Sequence, residues 1–179
     1  MIDNEIVTIN DANVVIDVLE LDIAEKFFSL NIRFHMTSEV YEEIRYSYPS
    51  LEAFVSSGVL SIDTINNFDL FYSVKKEKRQ LSDADCTALV LASELNGILL
   101  TSDNNLRKTA GKHNISIGGH LWIFKQLVDA NILSPTEAIT LLDRLNIINP
   151  KLGLPQKDKE NLIAEWRTKI SVSQQYQNQ

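Results

Sequence analysis

Apolar and polar positions along the chain repeat with two different periods. Residues 5–11 (EIVTIND), 32–36 (IRFHM), 59–65 (VLSIDTI), 97–101 (GILLT) and 115–117 (ISI) form short apolar or alternating runs, which predict strands. Between them the apolar residues recur at helical spacing. Helices are predicted over 12–31, over 37–48 up to Pro49, over 50–58, over a charged stretch ending in KKEKRQ (75–80), and over 82–96 and 104–113. Strands separated by helices of this length predict an α/β fold with a parallel central sheet, covered by helices in three layers. From Gly118 onward the pattern is helical only, over 118–133 and 134–148, and the second helix opens with Ser134 as N-cap, Pro135 in the first turn and Glu137 completing a capping box. The run NPKLGLP (149–155) reads as a linker into a last helix over 157–170, and the polar end, 171–179, is expected to be disordered. The expected division is a domain over 1–148 and a C-terminal helical extension over 149–179, with no internal repeat.

One position breaks the helical pattern. Within LSDADCTALVLA (81–92), Asp85 shares a stripe with Ala88, Leu89 and Ala92, where a hydrophobic residue is expected. A capping box accounts for an acid there, with Ser82 accepting from the amide of residue 85 and Asp85 reaching back to the amide of Ser82. The other reading is chemical, and three more acids bear on it. Asp11 ends the first strand and Asp103 follows the strand GILLT; the carboxyl ends of strands are where an open parallel sheet carries its crevice. Both precede helices, so each also reads as an ordinary N-cap. In the helix over 37–48, Val40, Tyr41, Ile44 and Tyr48 define the apolar face and Glu43 lies nearest its border, while Glu39 and Glu42 read as solvated.

Composition narrows what such acids can do. A chain of 179 residues, 44% hydrophobic and 23% charged, suffices for one sizeable core. No apolar run approaches a membrane span, and the first residues carry acids where a signal peptide carries basic residues, so the expected setting is the cytoplasm, away from any membrane. The single cysteine, Cys86, excludes an internal disulfide framework and reads as a small buried thiol. A net charge of −7 argues against gripping nucleic acid by bulk charge, leaving a local basic patch or metal ions. Four carboxylates with one destination suit a hard divalent cation, Mg²⁺ or Mn²⁺, which assists attack on phosphodiesters. His35, His113 and His120 show no zinc-type spacing with Cys86, and phosphate-loop and serine-elbow motifs are absent. The clusters Lys75, Lys76, Lys78, Arg79 and Arg107, Lys108, Lys112 read as solvated helix faces; beside a metal-binding acid cluster they are also the best candidates for phosphate contacts, above all Arg107, Lys108, Lys75 and Lys76.

The order and setting of VTINDANVVIDVL, VYEEI and LSDADCTALVLASELNGILLTSDNNLRKTA resemble the PIN-domain nucleases over roughly residues 5–146. The family's D-x-N at the end of the first strand is matched by Asp11 and Asn13, and its helical Glu before a hydrophobe by Glu43 before Ile44. An acid stands seven residues before the last Ala of an L-x-L-A run, here Asp85 before Ala92, and T-x-D follows the next strand, here Thr101 and Asp103. The two helices after Gly118 are similar to the tail of a PIN subgroup. The resemblance implies a parallel sheet flanked by helices, with Asp11, Glu43, Asp85 and Asp103 holding one or two Mg²⁺ or Mn²⁺ ions and Asn13 and Thr101 orienting them. It implies an endoribonuclease acting on RNA, the toxin of a toxin–antitoxin pair, with a small antitoxin protein and a second copy of the chain, in a homodimer, as candidate partners. Two other readings stay open: a catalytically weak PIN scaffold that binds protein or RNA, and a receiver-like phosphoacceptor domain, which the chain matches poorly because it lacks paired early acids and a well-placed late lysine.

Overall fold

The apolar runs become the strands of a single five-stranded sheet, and every hydrogen-bonded strand pair in it is parallel. The computed structural model describes residues 6–177, with side chains as far as residue 171. In chain order the elements are β1 (Ile6–Asn10), α1 (Ala12–Glu20), α2 (Ala24–Phe28), β2 (Ile32–Thr37), α3 (Ser38–Ile44), α4 (Leu51–Ser56), β3 (Leu60–Asp63) and α5 (Phe68–Glu77). They continue with α6 (Asp83–Glu94), β4 (Ile98–Leu100), α7 (Asn104–Lys112), β5 (Ser116–Gly118), α8 (His120–Asp129), α9 (Pro135–Ile148) and α10 (Gln156–Gln177). The sheet order is β3-β2-β1-β4-β5, with Ile9 paired to His35 on one side and to Leu99 on the other. The chain winds outward from β1 through β2 to β3, then returns to the other side of β1. Order therefore reverses between β1 and β4, and the crevice of such a sheet opens at that point.

The α/β architecture expected from the sequence is the one observed. α6 is buried on nearly all sides, from Ala84 and Cys86 through Ala92, because it lies against β1, β2 and β4 and is itself covered by α3, α5 and α7. Burial pushes the Cys86 thiol up to about 11, so it stays protonated inside the core.

Three boundaries differ from the sequence reading. The single helix expected over 12–31 is two, broken at Asp22, whose φ of 60° lies in the left-handed region. Ile23 N–H donates to Val18 O (3.2 Å) and Asp22 N–H to Leu19 O (3.0 Å), closing a Schellman cap that lets Leu21 and Ile23 both turn into the core. The same cap, with a short polar residue at positive φ, ends α6 at Asn96, α7 at Asn114 and α8 at Asn131. α3 stops at Ile44 rather than running to Tyr48. α10 continues to Gln177, through most of the stretch expected to be disordered; propagating a helix from an already docked turn requires little of its sequence. The expected strand start at Glu5, the acidic N-terminal residues before it and the last two residues of the tail lie outside the described residues.

The extension after residue 148 is docked. Trp166 of α10 is fully buried, and α10 packs on α9 and α8, with Lys159 paired to Asp143 (3.3 Å) and Lys169 to Asp129 (3.4 Å). At the linker, Asn149 Nδ2 donates to both oxygens of the buried Asp17 (3.1 and 3.0 Å), and His120 Nε2 lies 2.9 Å from Asp17 Oδ2. Among the described residues no helix is long and apolar enough to cross a membrane.

Candidate functional site

The site is built where β1 and β4 end side by side. Just beyond the strands, Asp11 N–H donates to Leu100 O (3.0 Å) and Thr101 N–H to Gly118 O (3.2 Å), so backbone bonding fixes Asp11 against Thr101. The Thr101 hydroxyl then joins two acids: it donates to Asp11 Oδ2 (2.7 Å) and accepts the Asp103 amide (3.1 Å). Asp11 occupies the N-cap position of α1, yet its side chain makes no capping hydrogen bond there. Its buried carboxylate faces Thr101 instead, so capping does not explain it. Asp103 does cap: Oδ1 accepts from Leu106 N–H (2.7 Å), which fixes the carboxylate at the start of α7.

For Asp85, the capping box expected from the sequence is present, and its charge also reaches two other acids. Ser82 Oγ accepts the Asp85 amide (3.0 Å), and Asp85 Oδ2 accepts the Ser82 amide (2.8 Å), a complete capping box at the start of α6. The same carboxylate is close enough to Asp11 and Glu43 that its charge raises the pKa of each. α6 leads into the start of β4, so its own first turn lies toward the carboxyl edge of the sheet. That turn is clipped to the end of β2 by the hydroxyls of Thr37 and Thr87 (3.0 Å apart), and Thr37 also caps α3, which carries Glu43 (Val40 N–H to Oγ1, 3.4 Å).

The electrostatics follow from this placement. The Asp11 carboxyl is pushed up to about 6, first by burial and further by the charges of Asp85 and Asp103; the bonds from Thr101 and the Ala12 amide hold it down only in part. Partial desolvation, and then Asp85, raise the Glu43 carboxyl as well. Repulsion thus acts pair by pair, from Asp85 on Glu43 and on Asp11 and from Asp103 on Asp11. The acids are not packed into a tight nest: among the described residues no group of three or more His, Cys, Asp or Glu side chains is placed to hold a metal ion directly. The oxygen donors nonetheless suit Mg²⁺ or Mn²⁺ in kind, since a hydrated ion of this type keeps several waters and needs only one or two carboxylates.

Two substitutions at Asp85 separate its two tasks. Asp85→Ala removes the cap and is expected to cost on the order of 1 kcal/mol of stability. Asp85→Asn keeps an oxygen for the Ser82 amide while removing a charge that repels Asp11 and Glu43, so the metal-free protein should be at least as stable as wild type. Urea unfolding in EDTA compares the two; an Asp85→Asn protein less stable than wild type would show that the charge of Asp85 is not held against repulsion.

The remaining candidates are placed as follows. Asn13 is exposed in the first turn of α1, beside Asp11 in the chain. Lys75 donates to Leu81 O (2.8 Å) and pairs with Asp83 (2.8 Å), a position from which the charge of Asp85 also reaches it; Lys76 is exposed. Arg107 is half-buried, and its Nη1 donates to Thr101 O (2.9 Å) and Gly118 O (3.0 Å), tying the ends of β4 and β5 together. Lys108 is exposed on α7. Neutralising these two residues should therefore give different results. Lys108→Ala should leave the unfolding free energy unchanged, since Lys108 is exposed on the surface of α7. Arg107→Ala should cost about 2 kcal/mol of stability, because charge-assisted bonds to two carbonyls are lost. Matched unfolding series test the split, and an Arg107→Ala protein as stable as wild type would contradict it.

Three site residues escaped the sequence reading. Thr37 was accessible to it, as a threonine between a strand and a helix. Thr87 lies inside an apolar helix pattern, and only its Thr37 partner reveals its use. Asn10 donates from Nδ2 to His35 O (3.0 Å) and leaves Oδ1 buried without a partner, directly before Asp11. The histidines are each matched to one acid, His35 to Asp63 (2.8 Å), His113 to Glu77 (3.4 Å) and His120 to Asp17 (2.9 Å), rather than gathered together.

A parallel sheet whose strand order reverses between β1 and β4, with Asp11 and Asp103 just beyond those two strands, defines a doubly wound α/β protein with acids at its reversal point. The family described as PIN domain, DUF3368, matches residues 7–150, and the chain belongs to that family, whose members are generally nucleases and typically use divalent metals. No curated protein sequence matches the chain. Among solved structures it is similar to the one described as the 2.2 Å resolution structure of VapBC-1 from nontypeable Haemophilus influenzae, at 18% identity and a TM-score of 0.49, covering 64% of this chain and 98% of that one.

Proposed function

We propose that this PIN-domain protein is a metal-dependent endoribonuclease that cleaves phosphodiester bonds in single-stranded RNA, and that it is the toxin of a toxin–antitoxin pair. The observation that carries the reading is Asp11: a buried carboxylate that lacks the usual N-cap bond, held by Thr101 and the Ala12 amide and crowded by Asp85 and Asp103. Asp11, Glu43, Asp85 and Asp103 would hold Mg²⁺ or Mn²⁺. When bound, the ion supplies the positive charge that the reacting phosphodiester needs and makes water more acidic. The chain's own residues set the stage for it. Thr101 fixes the Asp11 carboxylate through Oδ2, and backbone amides fix Asp85 through Oδ2 and Asp103 through Oδ1, so rotation of these side chains is already restricted before RNA arrives. Asn13 and Thr101 orient ligands at the edge of the cluster. Exposed Lys76 and Lys108 attract the backbone to an otherwise acidic chain.

Purified protein is expected to cut single-stranded RNA with Mg²⁺ or Mn²⁺ and to stop in excess EDTA; cutting that persists in EDTA contradicts the reading. The toxin assignment rests on the family resemblance and is tested by the neighbouring reading frame: a small upstream gene that overlaps this one encodes the expected antitoxin, which should co-purify with the chain in the cytoplasm. The open spacing of the four acids favours one other reading, a PIN scaffold that binds without cutting. A melting shift with Mn²⁺ and no cleavage is its signature.

A further inference from the structure

We infer that a cavity beside the acid cluster, closed on one side by the linker into α10, is a subsite for one unpaired nucleobase of the RNA. The inference rests on the reading of the chain as a ribonuclease and names how that site selects its substrate. The cavity has a volume of about 210 Å³, below the range of roughly 300–1,000 Å³ that holds drug-sized molecules, so a single ring system is the suitable occupant. Its apolar walls are the half-buried indole of Trp122 at the start of α8 and Leu154 and Pro155 of the linker. Thr101, Ser102, Asn104, Arg107 and His120 supply polar groups, and Asp158 of α10 adds one carboxylate, which can accept from a base amino group but would repel a phosphate. An aromatic face for stacking beside hydroxyl, amide and guanidinium groups for the base edge is the combination by which proteins recognise splayed-out bases.

Position supports the same occupant. Thr101 and Ser102 line the cavity, while Thr101 also holds Asp11 and Ser102 is followed by Asp103, so the cavity and the acids share one loop. A phosphate at the acids would bring a neighbouring base to this opening. Gly119 leaves room beside the cation: a Cβ there would stand 3.2 Å from Arg107 Nη1, so the guanidinium would have to give by a few tenths of an ångström. The linker contribution gives the extension a task in recognition, since Leu154 and Pro155 lie beyond the segment that matches the family.

The test uses the full chain in EDTA, titrated with six-nucleotide single-stranded RNAs of each base while tryptophan fluorescence is followed. Of the two tryptophans, Trp122 borders the cavity and Trp166 is fully buried beneath α10. A saturable change in wild type is expected, and it should vanish in Trp122→Phe, which keeps an aromatic wall. Leu154→Asp, at a half-buried linker position that also packs against the core, should weaken binding about tenfold, a loss of the size one stacked base supplies, and shift the positions of cutting when both proteins are compared well below their melting temperatures. No fluorescence change, or equal affinity and equal cut sites in Leu154→Asp, overturns the subsite. Cleavage with Mn²⁺ on the same preparations keeps the two ideas apart. A wild type that cuts RNA without any change at Trp122 retains the nuclease and loses the subsite, whereas a change at Trp122 without cutting retains the subsite and loses the nuclease.

Discussion

Replacing Asp11 with Asn is expected to stabilise the metal-free protein at neutral pH and to lower RNA cleavage by more than about 100-fold, since even the outer partners of metal ligands cost 10- to 100-fold when removed. The stability effect follows from the pKa. The folded-state value of about 6 lies above the ordinary 3.8, so the folded chain keeps a proton that the unfolded chain releases first. The stability contributed by this group is therefore complete below pH 3.8 and is lost as pH rises through about 6. A shift of this size corresponds to about 3 kcal/mol, an upper figure, because the crowding that causes it can relax. Asn is neutral at every pH and can still accept from Thr101. The difference in unfolding free energy between variant and wild type in EDTA should thus grow in the variant's favour from pH 4.5 to pH 7.5. A pH-independent difference would mean that Asp11 is not held against its charge.

Trp166→Ala should be the most damaging single substitution outside the site. The indole is fully buried between α10 and the rest of the core, and truncating a buried tryptophan costs about 3–5 kcal/mol, a large part of the 5–15 kcal/mol that holds a typical domain together. Urea unfolding should show this loss with one cooperative transition, since α10 packs on both α8 and α9. A loss under about 1 kcal/mol would mark α10 as an appendage whose removal leaves the family domain intact.

What the sequence disclosed depended on how local each signal was. The strands and most helices are written in short apolar periods, so the sheet and its class could be read directly. Asp11 and Asp103 were accessible because strand ends in a parallel sheet are privileged positions, and Asp85 because it interrupts an apolar stripe. Glu43 followed from a small margin on a helical wheel, and the structure brings it to the others only through Asp85. The rest lies in contacts between distant residues. Thr37 meets Thr87 across 50 positions, and Arg107 binds carbonyls of two different strand ends, so neither role has a local signature. The break at Asp22 is a backbone event in a stretch of good helix formers, favoured because it buries Leu21 and Ile23 together. The position of α10 is set by Trp166, helped by partly buried Leu162 and Ile163 and by ion pairs from Lys159 and Lys169, in a sequence too polar overall to show a clear apolar stripe.

The central claim is that the acids at the reversal point of the sheet cut RNA with a divalent ion. Its most direct measurement is the rate at which wild type and Asp11→Asn, matched in concentration and both shown to be folded, cut one fluorescently labelled single-stranded RNA in Mn²⁺. Wild type is expected to cut, and the variant to be slower by more than about 100-fold. Equal rates for the two proteins would contradict the claim.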